Sequence, residues 1–313
     1  MSGNGSAREK SEKWKVKSKK QETEDNPQTV FLYTFYFKLL TAMKVGYYQF
    51  RPLFGKVRHN LKRVMNRLAG VNADLMVLPE LAFTGYYFKD RNEVKQLAED
   101  PARSETVAAL ASLCRDRNLR LVTGFAEKAR DRYFNSALLI GPKGIEHVYR
   151  KLHLFNEETR WFDAGNIPLQ VNRLGNVRIG MMVCFDWIFP EVTRVLALEG
   201  ADIICHPSNL VLGYCQQTML TRCLENKVYA ITANRFGSDQ RPQGTLRFTG
   251  GSQIVAPGGT LVHRAVSQRE ELYVMDIDPM LARDKSITPR NEVLRDRRPE
   301  LYKTLSARKR KPA

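Results

Sequence analysis

"VRIGMMVCFDWIFPEVTRVLALEGADIICHPSN", residues 177–209, sets two apolar runs on either side of a helix-length segment. The first run, "VRIGMMVC", is rich in Val, Ile and Met and reads as a buried strand. Pro190 opens and Gly200 closes "PEVTRVLALEGA", which fits a helix with proline in its first turn and glycine just past its end. "DIICHPSN" is a second buried strand. Strand, helix and strand in about thirty residues are the alternation of an α/β fold.

The same alternation extends outward from this unit. Before it come the strands "MKVGYYQF", "ADLMVLPE" and "LRLVTGFAEK", separated by helices over "KVRHNLKRVMNRLAGV" and "ETVAALASLCRDRN". In the first helix Val57, Leu61, Val64, Met65 and Leu68 recur at helical spacing. "YFNSALLIGPKG" and "IEHVYRK" read as a strand pair joined at Gly141–Gly144. After the unit come a helix "QQTMLTRCLENKVYA", a strand "YAITANRFG", a hairpin "GGSQIVAPGGTLVHRA" and a strand "EELYVMDID". Alternating strands and helices predict a layered α/β fold. With no internal repeat and no linker over residues 43–300, one domain is expected.

The chain has 313 residues, enough to bury a core without disulfides. Its five cysteines are scattered, and none forms a C-x-x-C pair. Neither a disulfide framework nor a zinc site is therefore expected, and a reducing cytoplasm is the simplest setting. The net charge is +17, of which residues 1–42 carry only +3. Such a balance attracts polyanions weakly and without sequence preference, and no nucleic-acid-binding motif accompanies it. Residues 1–27 are polar and lysine-rich and read as disordered. "VFLYTFYFKLLTAM" (30–43), interrupted by Lys38, falls short of the roughly 20 residues needed to span a bilayer. We read residues 1–42 as an extension, with Met43 as an alternative start. Residues 43–305 form the domain, and 306–313 a basic tail.

Four residues carry possible chemistry. Cys184 ends a strand and precedes a helix, where nearby N–H groups or a cation would lower a thiol's pKa; a buried packing cysteine fits the same pattern. Glu80 closes the apolar run "DLMVLPE", and desolvation there would make it a better base near neutrality; a solvated strand-end glutamate is the plain alternative. Lys151, among Tyr149, Leu152, Leu154, Phe155 and Trp161, would hold a developing oxyanion if dry, or lie on the surface of an amphipathic strand. Glu158 follows in the same segment, and on its own it reads as an exposed loop residue.

Taken together, "LPELAFTGY", "YRKLHLFNEETRWFDAG" and "RIGMMVCFDWIFPEVTRVLALEGADIICHPSNL" resemble the three signature segments of the nitrilase, or carbon–nitrogen hydrolase, superfamily. The resemblance runs from about Met43 to Leu305. It implies a four-layer αββα sandwich and homodimers or larger homo-oligomers, with the helices near 190–199 and 216–228 at the interface. It implies Cys184 as nucleophile, Glu80 as general base, and Lys151 with the Phe185 backbone N–H as oxyanion donors. Glu158 would orient substrate or move protons. Phe185, Asp186, Trp187, Asn209 and Tyr86 would border the substrate, while Glu191 and Arg194 read as structural ion-pair partners. No metal or organic cofactor is implied. The expected reaction turns a small amide or nitrile into a carboxylic acid and ammonia through a thioester.

The segment from Lys151 to Phe162 is shorter than in carbamoylputrescine-type branches, although N-carbamoyl amides stay open as substrates. Two other readings remain. In one, His206 serves as the base of a cysteine–histidine hydrolase. In the other, the basic chain, ending in "RKRK", is a nucleic-acid-associated protein with no activity.

Overall fold

In the computed structural model, which describes residues 42–307, the chain opens with β1 (Met43–Gln49), α1 (Val57–Leu68) and β2 (Leu75–Val77). It continues through α2 (Arg91–Leu97), α3 (Glu105–Arg117), β3 (Arg120–Ala129), β4 (Arg132–Gly141), β5 (Gly144–Arg150) and the short α4 (Glu158–Trp161). The second half runs β6 (Val171–Leu174), β7 (Val177–Met181), α5 (Pro190–Leu198), β8 (Ile203–Ser208), α6 (Cys215–Asn226) and β9 (Tyr229–Asn234). It continues with β10 (Phe236–Arg241), β11 (Gly244–Thr249), β12 (Gln253–Val255), β13 (Leu261–Arg264) and β14 (Glu271–Ile277), and a short strand pair, β15 (Ser286–Thr288) and β16 (Asn291–Glu292), follows. The readings of residues 1–41 and of the tail beyond 307 lie outside the described residues.

Two six-stranded sheets form, in the orders β14-β1-β2-β3-β4-β5 and β13-β12-β9-β8-β7-β6. Each has a parallel centre, β1-β2-β3 in one and β7-β8-β9 in the other, flanked by antiparallel strands. The centres are buried on both faces, which explains their continuous apolar runs. In the β2 region Leu75 and Val77 face the partner sheet, packing with Ile179, Met181 and Ile203. Met76 and Leu78 face the other way, against Val64 and Leu68 of α1 and Leu110 and Leu113 of α3. Helices α5 and α6 cover the second sheet. The result is the αββα sandwich in a single domain.

Local signals explain the helix ends. The Ser104 hydroxyl accepts from the Val107 N–H at the start of α3, and Asp90 does the same for Glu93 at α2. Pro190 occupies the first turn of α5, and Gly200 follows it with φ +88°. One expectation is corrected. "YAITANRFG" is not a single strand: β9 stops at Asn234, and a separate hairpin, β10–β11, follows. The polar "GSDQRPQGTLRFTG" shows little strand patterning. The hairpin is anchored instead by buried Arg235, which pairs with Asp239 through two bonds of 2.8 Å and stacks on Phe248.

Candidate active site

The two parallel centres present the carboxyl ends of their strands to one region, and the chemistry collects there. Glu80 follows β2, Lys151 follows β5, Cys184 follows β7 and Asn209 follows β8. Two glycines permit the approach. A Cβ on Gly124 would lie 2.3 Å from the Glu80 Cα, and one on Gly165 would lie 2.2 Å from the Arg150 carbonyl oxygen. The Lys151 N–H donates to the Asn135 carbonyl and its carbonyl accepts from Gly165, which fixes this loop by its backbone.

Lys151 is buried, and its Nζ donates to Glu80 Oε1 at 2.7 Å and to Glu158 Oε1 at 2.8 Å. Glu158 Oε1 also accepts from the Tyr86 hydroxyl at 2.6 Å, and its Oε2 accepts from the Phe155 N–H. Both oxygens of Glu158 are thus engaged. Glu80 differs: Asn135 donates to the same Oε1 at 2.7 Å, while the buried Oε2 has no partner among the described residues. Burial alone would lower the Lys151 pKa, but Glu158 and Glu80 hold it above the ordinary lysine range. Burial raises the Glu158 pKa against the opposing pull of Lys151. Tyr86 is likewise pushed up, by burial and then by Glu158, so it stays a phenol.

Cys184 has φ +41°, a left-handed conformation that costs a non-glycine residue about 1–3 kcal/mol. It begins a turn of 3-10 helix spanning Cys184–Ile188. The expectation of a lowered thiol pKa is corrected. Burial, then the negative charge of Glu80, raises it well above the ordinary cysteine value, with Lys151 opposing. This thiol is not a resting thiolate, so its proton must leave as it attacks. The other four cysteines are also free and have no exposed surface. Burial pushes Cys114 up to about 12.

Cys184 opens on a pocket of about 20 Å³, room for roughly one water molecule. Its walls are Phe155, Phe185, Trp187, Leu210, Val211 and Leu212, with Asn209 at one side. No charged side chain lines it. A larger groove of about 640 Å³ lies elsewhere, beside α1 and α3. That groove mixes Arg58, Arg103 and Lys128 with Glu99, whose carboxylate is already taken by Ser104 and Thr106. It holds no cysteine. Among the described residues no group of three or more His, Cys, Asp or Glu is arranged to hold a metal ion.

The structure thus brings Glu80, Lys151, Glu158 and Cys184 together and puts Phe185, Trp187 and Asn209 on the pocket wall. Three expectations change. Asp186 does not face the pocket. Its buried carboxylate accepts from the Tyr149 hydroxyl, the Val183 N–H and the His153 N–H, so it braces the turn from behind. Tyr86 stands behind Glu158, its hydroxyl consumed there. Arg194 does not pair with Glu191; it donates to the Glu225 carbonyl, which α6 brings within 2.8 Å. His206 is no base for the thiol. Its Nε2 meets the Cys184 carbonyl at 3.0 Å, and burial lowers its pKa to about 4. Sequence reasoning missed Asn135 altogether. The one available signal was a polar residue inside the apolar strand "YFNSALLI".

The carbon-nitrogen hydrolase family matches residues 43–285. A nitrilase from Pyrococcus abyssi (strain GE5 / Orsay) is 41% identical over 263 residues, covering 83% of this chain and 99% of the relative. An (R)-stereoselective amidase from Pseudomonas sp is 32% identical over 261 residues, covering 82% and 92%. Among solved structures, a carbon-nitrogen hydrolase from Helicobacter pylori G27 superposes with a TM-score of 0.78 at 26% identity, covering 86% of this chain and 99% of that one.

Proposed function

Because the chain belongs to the carbon–nitrogen hydrolase family and is an enzyme that hydrolyses carbon–nitrogen bonds, we propose that it converts a small neutral amide or nitrile to a carboxylic acid and ammonia through a thioester on Cys184. The observation that carries this reading is the unpartnered Oε2 of Glu80, a buried carboxylate oxygen in a cluster whose other carboxylate is fully bonded. Glu80 takes the thiol proton as Sγ attacks the substrate carbon. Lys151 and the Phe185 N–H hold the developing negative charge on oxygen, or on nitrogen for a nitrile. For an amide, Glu80 then protonates the departing ammonia and activates the water that cleaves the thioester; for a nitrile the attack gives a thioimidate, a first water adds so that ammonia leaves and the thioester forms, and a second water cleaves it. Glu158, with both oxygens committed, positions Lys151 and Tyr86.

The apolar, uncharged pocket wall favours small neutral acyl groups over N-carbamoyl amines, because nothing on it would offset an ammonium group. Glu80→Gln is expected to lower ammonia release from a panel of small amides and nitriles by about 10²–10⁴-fold while Cys184 stays open to alkylation. Near-normal turnover in that variant would sink the mechanism. Faster release from a cationic N-carbamoyl amine than from every neutral amide or nitrile would sink the substrate class.

Two broader readings accompany this one. Helices α5 and α6 expose Val195, Leu198 and Leu224, with Ile188, Leu212 and Tyr214 nearby, an apolar face that supports a homodimer through these helices. Light scattering is expected to give twice the chain mass, and a monomer at assay concentration would refute this. Five free cysteines support a reducing, cytoplasmic setting, which a proteolysis-protected cytosolic fraction would test. No described helix is long and apolar enough to cross a membrane.

A further inference from the structure

His206 and Thr232 are buried polar residues on β8 and β9, and the mechanism above does not use them. His206 Nε2 lies 3.0 Å from the Cys184 carbonyl oxygen, and Nδ1 lies 3.1 Å from Thr232 Oγ1. A carbonyl only accepts, so Nε2 carries the proton. The ring is neutral, so Nδ1 accepts from the Thr232 hydroxyl. Ser208 Oγ, 3.1 Å from Nε2, donates to the His206 carbonyl and can share the Nε2 proton.

The Cys184 carbonyl and the Phe185 N–H belong to one trans peptide plane and point in opposite directions. Fixing the carbonyl therefore aims the N–H. The Phe185 N–H has no acceptor among the described residues, and both Cys184 and Phe185 line the pocket. On the amino side, Asp186 holds the Val183 N–H at 2.9 Å. The strained cysteine is clamped from both sides.

We infer that His206 is a positioning residue for the oxyanion site: its Nε2–H holds the Cys184–Phe185 peptide so that the Phe185 N–H faces the reacting atom, and Thr232 sets the tautomer that allows it. The inference rests on Cys184 as nucleophile and the Phe185 N–H as donor.

Two reagents separate this role from general structural support. Acylation by p-nitrophenyl acetate forms an S–C bond at the acetyl carbon and passes through an oxyanion. The thiol proton goes to Glu80 and p-nitrophenolate leaves. Alkylation by iodoacetamide forms an S–C bond and expels iodide, with no oxyanion. His206→Asn, which cannot place a donor at the Nε2 position, is expected to slow burst acylation about 10–100-fold while alkylation of Cys184 changes by less than about threefold. His206→Gln, whose amide nitrogen reaches that position, should recover acylation to within about fivefold of the parent. Thr232→Val should lower acylation and shift the His206 ring toward the Nδ1–H tautomer in ¹⁵N NMR spectra. Equal losses in both reactions, or none in either, would overturn the inference, as would Gln behaving like Asn. A full acylation burst in Cys184→Ala would instead overturn the nucleophile assignment beneath it.

Discussion

Replacing Cys184 with alanine is expected to leave a folded protein that releases no ammonia from any amide or nitrile the parent accepts, a loss of about 10⁴-fold or more. The size follows from the absence of a substitute. Cys114, Cys205, Cys215 and Cys223 have no exposed surface, and burial raises the pKa of each. None can approach a substrate. The native parent should therefore take up one equivalent of iodoacetamide, on the peptide containing Cys184, and the variant none. Retained turnover in Cys184→Ala would remove the thioester from the reaction. Uptake of several equivalents by the native parent would show that burial does not protect the other thiols.

Lys151→Met should damage both activity and stability. The ammonium sits between Glu80 and Glu158, and all three side chains are buried. Without it, two carboxylates share a dry site with no compensating charge, which costs about 3–5 kcal/mol. For a domain this large that lowers the melting temperature by roughly 10 °C. Turnover should fall by at least about 10²-fold because the oxyanion loses its charged partner.

The pH dependence gives the sign. In the parent, Lys151 is held above its ordinary 10.5, so its contribution to stability is complete below that value and is lost as pH rises through the folded-state value. In the variant, burial without the opposing lysine favours the protonated form of Glu158. The deficit should then be small near the ordinary carboxylate range and grow as pH rises to neutrality, as differential scanning fluorimetry would show. A variant with the parent's melting temperature at pH 8 would mean that the cluster does not depend on the lysine charge.

Much of the fold was legible in the chain. Pro190, Gly200 and the apolar runs around them marked a strand–helix–strand unit, because burial on both faces leaves no polar alternation to misread. The β10–β11 hairpin escaped notice, because its stability comes from the buried Arg235–Asp239 pair and from Phe248 rather than from an apolar strand pattern. Within the site, Glu80, Lys151, Glu158 and Cys184 were recognisable from their sequence blocks. The direction of each side chain was not. Asp186 and Tyr86 sit in the right segments, yet both point at other protein groups, which sequence spacing does not specify. Asn135 and His206 meet the site through hydrogen bonds to Glu80 and to the Cys184 carbonyl, across 55 and 22 residues of chain.

The division of the site between two sheets has a consequence for how the enzyme comes into being. Glu80 and Lys151 hang from the first sheet, Cys184 and Asn209 from the second, and the Asn209 amide reaches the Glu80 carbonyl across 129 residues. Neither half of the chain contains a base, a cation and a thiol that meet. Such distant contacts form late, after the loop entropy between them has been lost. A nascent chain can therefore pair β1 to β5 on the ribosome, before the second sheet and β14 are made, and remain chemically inert. On the proposed roles, the thiol meets its base and its cation only when the second sheet closes over the first.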